Sequence, residues 1–110
     1  MTDGEAKPRA SVTVSEQSAG RVVVTGELTF ATAREARQLG VMVLEGSTAQ
    51  TIVVDCKGVT RADSAGLAVL LDWLALGRRT SRTITLENLP DSLVAIARIS
   101  EVDGLLKAAG

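Results

Sequence analysis

The sequence predicts a small α/β domain: a mixed four-stranded sheet with helices packed mainly on one face. Three observations predict it. Short β-branched runs occur at four places along 110 residues, two amphipathic helical stretches lie between them, and a strand–helix–strand run from Thr51 to Glu87 implies a right-handed parallel crossover. A chain of this length suits one core and one domain.

The elements follow in order. Met1 to Ala10 is polar and reads as a flexible N-terminal tail, leaving 11–110 as the domain. Val12 and Val14 alternate with polar residues, giving a strand over Ser11–Ser15. Ser18-Ala19-Gly20 is a turn signal, and Arg21–Leu28, with three consecutive valines, is a second strand that closes an antiparallel hairpin. Thr32–Glu45 is a helix, with Thr32 as N-cap and Gly46 as terminator. Ala36, Leu39, Met42 and Val43 form its apolar face; Arg34, Glu35, Arg37 and Gln38 form its wet side.

Thr51–Asp55 reads as a central strand covered on both faces, and Lys57–Asp63 as a loop. Ser64 to Arg79 is the strongest helix. Leu67, Leu70, Leu71 and Leu74 form its stripe, widened by Val69, Trp73 and Leu76; Arg78 and Arg79 suit its dipole at the C-terminal turn. Arg82–Glu87 is a fourth strand and Asn88–Pro90 a turn. Pro90 opens a last helix with Leu93, Ile96 and Ala97 on one face. Val102, Leu105 and Leu106 are expected to fold back over the sheet edge.

Composition narrows the function classes. The hydrophobic share is 45%, mostly aliphatic, whereas Phe30 and Trp73 are the only aromatics. A net charge of −1 and the scarcity of aromatics argue against a nucleic-acid surface. Histidine is absent, which removes the usual neutral-pH base and the commonest zinc ligand. The single Cys56 reads as a small buried residue and fits a reducing compartment. The longest apolar stretch, Ala65–Leu71 with Gly66 counted in, falls far short of the roughly 20 residues of a membrane span. The expected location is cytoplasmic.

No enzyme is expected, and no cofactor or metal. Asp55 and Asp63 have ordinary places at a strand end and a helix start, without a third ligand. Arg78, Arg79 and Arg82 read as a solvated helix end rather than a lipid-headgroup patch, and Trp73 as core or partner anchor in equal measure. Asp63-Ser64, taken alone, is a helix cap.

The segment Asp63-Ser64-Ala65-Gly66-Leu67, led in by Val53-Val54-Asp55, closely resembles the signature of the STAS family, the sulfate transporter and anti-sigma factor antagonist domain. Gly26-Glu27-Leu28, Asn88-Leu89-Pro90 and Ile99-Ser100-Glu101-Val102-Asp103 match the family pattern as well, so the resemblance runs from Ser11 to Leu106. It implies a STAS-like fold and function through protein binding.

Two branches of the family compete. Anti-sigma factor antagonists are switched by phosphorylation at the position of Ser64, which changes their grip on a kinase partner. They usually carry an aspartate where this chain has Thr29. Gly26-Glu27-Leu28-Thr29-Phe30-Ala31-Thr32-Ala33 and Leu67-Ala68-Val69-Leu70-Leu71-Asp72-Trp73-Leu74 look more like the MlaB branch. Those proteins are cytoplasmic STAS subunits that bind and support the ATPase subunit of an ABC transporter for phospholipid, which maintains outer-membrane lipid asymmetry. The resemblance implies a location at the inner membrane through the partner. It also implies a partner surface of Thr29, Phe30, Thr60, Arg61, Asp63, Ser64 and Leu67, with Ser64 open to phosphorylation. A phosphate on Ser64 would add about −1.5 to −2 charges. The helix dipole would favour it by about 0.3–1 kcal/mol, and Asp63 would oppose it by about 1 kcal/mol per charge in water. These nearly cancel, so such a modification would act on a partner rather than on the fold.

Overall fold

The computed structural model describes residues 10–100, 102–104 and 106. Residues 1–9 of the expected tail, together with Glu101 and Leu105, lie outside them. The element order is β1 (Val12–Ser18), β2 (Arg21–Leu28), α1 (Ala33–Gly46), β3 (Thr51–Ala62), α2 (Ser64–Arg79), β4 (Thr83–Glu87) and α3 (Asp91–Ile99). The sheet runs β1-β2-β3-β4. β1 is antiparallel to β2, whereas β2, β3 and β4 are mutually parallel, with α1 and α2 as the connections.

The hairpin turns at Gly20, whose φ of +79° suits glycine. The pairing Val12↔Gly26 to Ser18↔Arg21 carries β1 three residues further than the alternation predicts. One face of the sheet carries the core: Val22, Val24 and Leu28 from β2, Ile52, Val54 and Cys56 from β3, and Ile84 from β4 lie under the helices. The other face bears Arg21, Val23, Val53, Asp55 and Glu87, and among the described residues no helix covers it. β3 is therefore covered on one face only, and Val53 is half-buried rather than packed. On this open face Arg21 donates to Asp55 (2.8 Å) and Glu87 (3.1 Å), tying β2, β3 and β4 together. Hydrogen bonds from Asn88 Nδ2, the Lys57 N–H and Arg21 hold the Asp55 carboxyl below the usual carboxylate range.

The largest departure from the sequence reading is β3. Lys57–Ala62, expected as a loop, continues the strand and pairs with β2 as far as Leu28↔Ala62. β3 advances three residues from Asp55 to Gly58 while β2 advances two, and two from Val59 to Arg61 while β2 advances one. These bulges break the period-2 pattern that marks a strand in sequence. Cys56 is buried there, and burial pushes its thiol up to about 12.

Helix α1 is also phased differently. Its buried residues are Ala36, Gly40 and Leu44, and Met42 is 69% exposed, so the apolar face predicted through Met42 is rotated toward Leu44. Thr32 occupies the N-cap position but makes no side-chain cap bond, because its hydroxyl is used upstream in the β2–α1 turn. Gly46 is the last helical residue rather than a left-handed terminator; Ser47 follows in extended backbone.

Helix α2 has the bounds the sequence predicts. Trp73, 1% exposed, is core, and its indole lies against Gly40, where a Cβ would stand 2.1 Å from the ring. β4 begins at Thr83, one residue later than expected: Ser81 has a positive φ and Arg82 is turned toward α1. Leu93, Ala97 and Leu106 join the core, and Val102 packs on it half-buried.

Candidate functional site

Because β2 and β3 are parallel neighbours, both release the chain at one end of the sheet, and α1 and α2 both begin there. The register Glu27↔Arg61, Leu28↔Ala62 sets the two exits side by side. The β2 exit is a tight turn closed by the Thr32 N–H on the Thr29 carbonyl (3.0 Å). The Thr32 hydroxyl accepts from the Thr29 N–H (3.1 Å) and donates to the Glu27 carbonyl (2.8 Å), so this threonine is buried and structural.

Asp63 staples the two exits together. Its Oδ1 accepts from the N–H groups of Ala65 (2.9 Å) and Gly66 (3.2 Å), capping α2, and its Oδ2 accepts from the Phe30 N–H (3.0 Å) across the gap. Its own N–H donates to the Leu28 carbonyl (3.1 Å). Burial pushes the Asp63 carboxyl up, but the N–H groups of Phe30, Gly66 and Ala65 outweigh it and hold the acid below its ordinary range. Three donors engage both oxygens of this carboxylate, which suits a structural clamp better than a metal ligand or a base.

Gly66 fits this arrangement for a steric reason. A Cβ on it would stand 1.9 Å from the Leu28 carbonyl oxygen, so the first turn of α2 rests directly on the end of β2. The close neighbour of this glycine is the chain's own backbone. Leu67, 4% exposed, points into the core and supports the surface from beneath.

Above this base lies an open groove of about 560 Å³ lined by Ala10, Glu27, Thr29, Phe30, Ala31, Arg61, Ala62 and Asp63. Thr29 is buried, with its hydroxyl on Glu27 Oε1 (3.3 Å), whereas the Phe30 side chain stands out from the turn at 86% exposure. Ser64 is exposed at the first residue of α2. The structure thus brings Thr29, Phe30, Arg61 and Asp63 together around one groove, with Ser64 next to it. Thr60 lies apart, exposed on β3 with its hydroxyl on the Gly26 carbonyl (3.3 Å). Ala10, Glu27, Ala31 and Ala62 were absent from the partner surface expected from the sequence. Ala31 could have been found as the neighbour of Phe30 in the same turn, but placing Glu27 and Ala62 requires the bulged register of β3.

A family model described as "Mlab, STAS domain" matches residues 12–107. The chain belongs to this STAS family. One similar solved structure is a chain of the Acinetobacter MlaFEDB complex in an ATP-bound conformation: 25% identity, TM-score 0.66, over 76% of this chain and 87% of that one. Another is the anti-sigma factor antagonist SpoIIAA in its unphosphorylated form, at 16% identity and TM-score 0.66, over 86% and 84%, a likeness of fold alone. A search of curated proteins finds no match.

Membership gives the signature Asp63-Ser64-Ala65-Gly66-Leu67 a physical reading. Asp63 clamps, Gly66 permits the close approach of α2 to β2, and Leu67 fills the core. Ser64, by contrast, faces solvent.

Proposed function

We propose that this STAS domain is a non-catalytic cytoplasmic subunit that binds the ATPase subunit of an MlaB-type ABC transporter for phospholipid and supports its assembly and activity. It would sit at the inner membrane through that partner; among the described residues no helix is long and apolar enough to cross a membrane. One observation carries the reading. The fold spends its polar groups on fixing the two loops at the end of β2 and β3, yet leaves the only phenylalanine of the chain outside, next to an exposed Ser64. An exposed aromatic on a rigid turn costs solvation in the free domain and suits an anchor for a partner's apolar socket. The family match and the likeness to a chain of the MlaFEDB complex support an ABC transporter as the source of that socket. In this reading Thr29, Phe30, Arg61, Asp63 and Ser64 form or shape the contact, Thr60 lies at its margin, and Leu67 holds it up from the core.

The second reading, an anti-sigma factor antagonist that binds a kinase and is switched at Ser64, draws support from the exposed hydroxyl at the start of α2 and from the fold likeness to SpoIIAA. A tagged pull-down from the native cell, run with wild type and Ser64→Glu and identified by mass spectrometry, separates the two. Recovery of an ABC ATPase and permease with wild type, weakened by Ser64→Glu, is expected. Recovery of a serine kinase or anti-sigma factor instead would move the function to transcriptional switching.

A further inference from the structure

The two edges of the sheet are guarded differently. β1, at one edge, is broken by a bulge between Glu16 and Ser18, and a bulge turns an edge away from pairing with another chain. β4, at the other edge, has no bulge, lysine or proline: its register with β3 runs unbroken from Thr51↔Thr83 to Asp55↔Glu87. Its sequence, Thr-Ile-Thr-Leu-Glu, is mostly β-branched. Its one charge, Glu87, is already held by Arg21 (3.1 Å). Among the described residues no strand lies on its outer side.

The Thr83 N–H donates to the Gln50 carbonyl (3.0 Å) at the entry to β3. Backbone groups alternate sides along a strand, so Thr83, Thr85 and Glu87 turn theirs to β3, and Ile84 and Leu86 turn theirs outward. The outward row is complementary to itself. A second β4, turned antiparallel about Thr85, sets Ile84 opposite Leu86 and Leu86 opposite Ile84, and each such pair exchanges both of its hydrogen bonds. In this register the whole strand is matched, and Glu87 meets Thr83 rather than another Glu87. Centring the pair on Ile84 or Leu86 leaves one end of each strand unmatched. The half-buried Leu86 gains the second copy's Ile84 as an apolar neighbour. α3 packs on α2, which lies over β4, whereas α1 lies over β1. The same twofold therefore brings the two copies of α3 toward each other, and α3 carries the 82% exposed Ile99.

We propose that two copies of this domain associate by antiparallel pairing of β4 with β4, centred on Thr85, to form one continuous sheet. The groove lies at the ends of β2 and β3, away from this edge, so pairing leaves it open in both copies and holds whichever partner binds there. Two short strands make a small contact, so the association is reversible.

The test is sedimentation equilibrium and amide exchange on the full chain, from about 10 µM to about 1 mM, the span over which a small reversible contact fills. The weight-average mass should rise toward that of two chains. The Ile84 and Leu86 amides should gain protection with it, whereas the Thr83 and Thr85 amides, bonded to β3, are protected throughout. Thr85 stands at the twofold on the open face, in a pair of the kind where opposed side chains come closest. Thr85→Lys or Thr85→Glu alone sets like charges opposite each other and should weaken association about fivefold. An equimolar mixture of the two variants should restore it. A wild-type chain still monomeric at about 1 mM, or a dimer indifferent to Thr85→Lys, would overturn the proposal. So would a mixture that associates no better than either variant alone, or slow exchange at Ile84 and Leu86 at every concentration, which would mean that the edge is covered within one chain.

Discussion

The two ends of this sheet are built from similar parts and left in opposite states. At the far end Glu16 accepts from the Gly20 N–H (2.8 Å) and the Ser47 hydroxyl (2.9 Å), tying the hairpin turn to the end of α1. Arg82 donates to the Leu44 carbonyl and to the Ser47 carbonyl (2.7 Å), and the Thr80 hydroxyl donates to the Leu76 carbonyl (2.9 Å). The cleft there, about 130 Å³ between Leu44, Leu76 and Ile84, is flanked by groups already bonded to this chain. At the near end the clamp is just as complete around Asp63, yet Phe30 and Ser64 are left facing water. An end that closes on itself is architecture. An end that is clamped beneath and leaves an aromatic ring and a hydroxyl exposed above fits the proposed docking surface.

The comparison is broken most severely at Gly66. Gly66→Ala drives a methyl into the Leu28 carbonyl, a backbone atom with no rotamer to yield, and should cost at least about 3 kcal/mol, the top of the range for overpacked sites. Gly46, also in a helix but with nothing within 4 Å of its Cβ position, is the control; Gly46→Ala should be neutral or gain a few tenths of a kcal/mol. Urea titrations of both variants check the pair. Equal stability would mean that α2 does not rest on β2 as described.

Asp63 comes next. Asp63→Ala removes the α2 cap and frees the Phe30 N–H, a loss of about 2 kcal/mol, the upper range for a cap. The sign of its pH dependence follows from the lowered folded pKa. Its contribution is intact above the unfolded carboxylate value of about 3.9 and drains as pH falls toward the lower folded value. Asp55 is held low too, so acid weakens the wild type in any case. The informative quantity is the stability gap between wild type and Asp63→Asn, expected to narrow between pH 7 and pH 3. A gap that stays constant over that range would show that the charge of Asp63 plays no part in the clamp.

How much of this was legible beforehand differs between the two ends for a physical reason. Contiguous patterns carried β2, α2 and the signature at its start, because an apolar stripe with a cap is written locally. The course of β3 beyond Asp55 was not legible, because its two bulges cancel the alternation and its pairing lies with a strand more than thirty residues away. Thr32 was misread as a side-chain cap because the competing acceptor, the Glu27 carbonyl, is brought near only by the folded turn. Arg82 was read as part of a solvated helix end for the same reason: the carbonyls it binds lie in the last turn of α1 and on Ser47 just after it. Arg82→Ala should cost about 1–2 kcal/mol: the Ser47 carbonyl loses the guanidinium, while the Leu44 carbonyl keeps the Ser47 N–H. It should leave partner binding at the other end unchanged, which thermal melts and a binding isotherm would check together.

The smallest effect on stability should come from Phe30. At 86% exposure its ring adds almost nothing to the core, so Phe30→Ser should fall within about 0.5 kcal/mol of wild type, as other surface changes do. If Phe30 is an anchor, the same change should weaken partner binding by about 2 kcal/mol, or roughly thirtyfold. The Asp63–Phe30 bond uses only the backbone N–H, so the turn itself should survive the substitution. Stability retained with binding lost would separate docking from folding at a single residue. Both retained would leave Phe30 a bystander and move the contact toward Ser64. A large loss of stability would mean that the ring supports the turn itself, so that docking and folding are not separable at this residue.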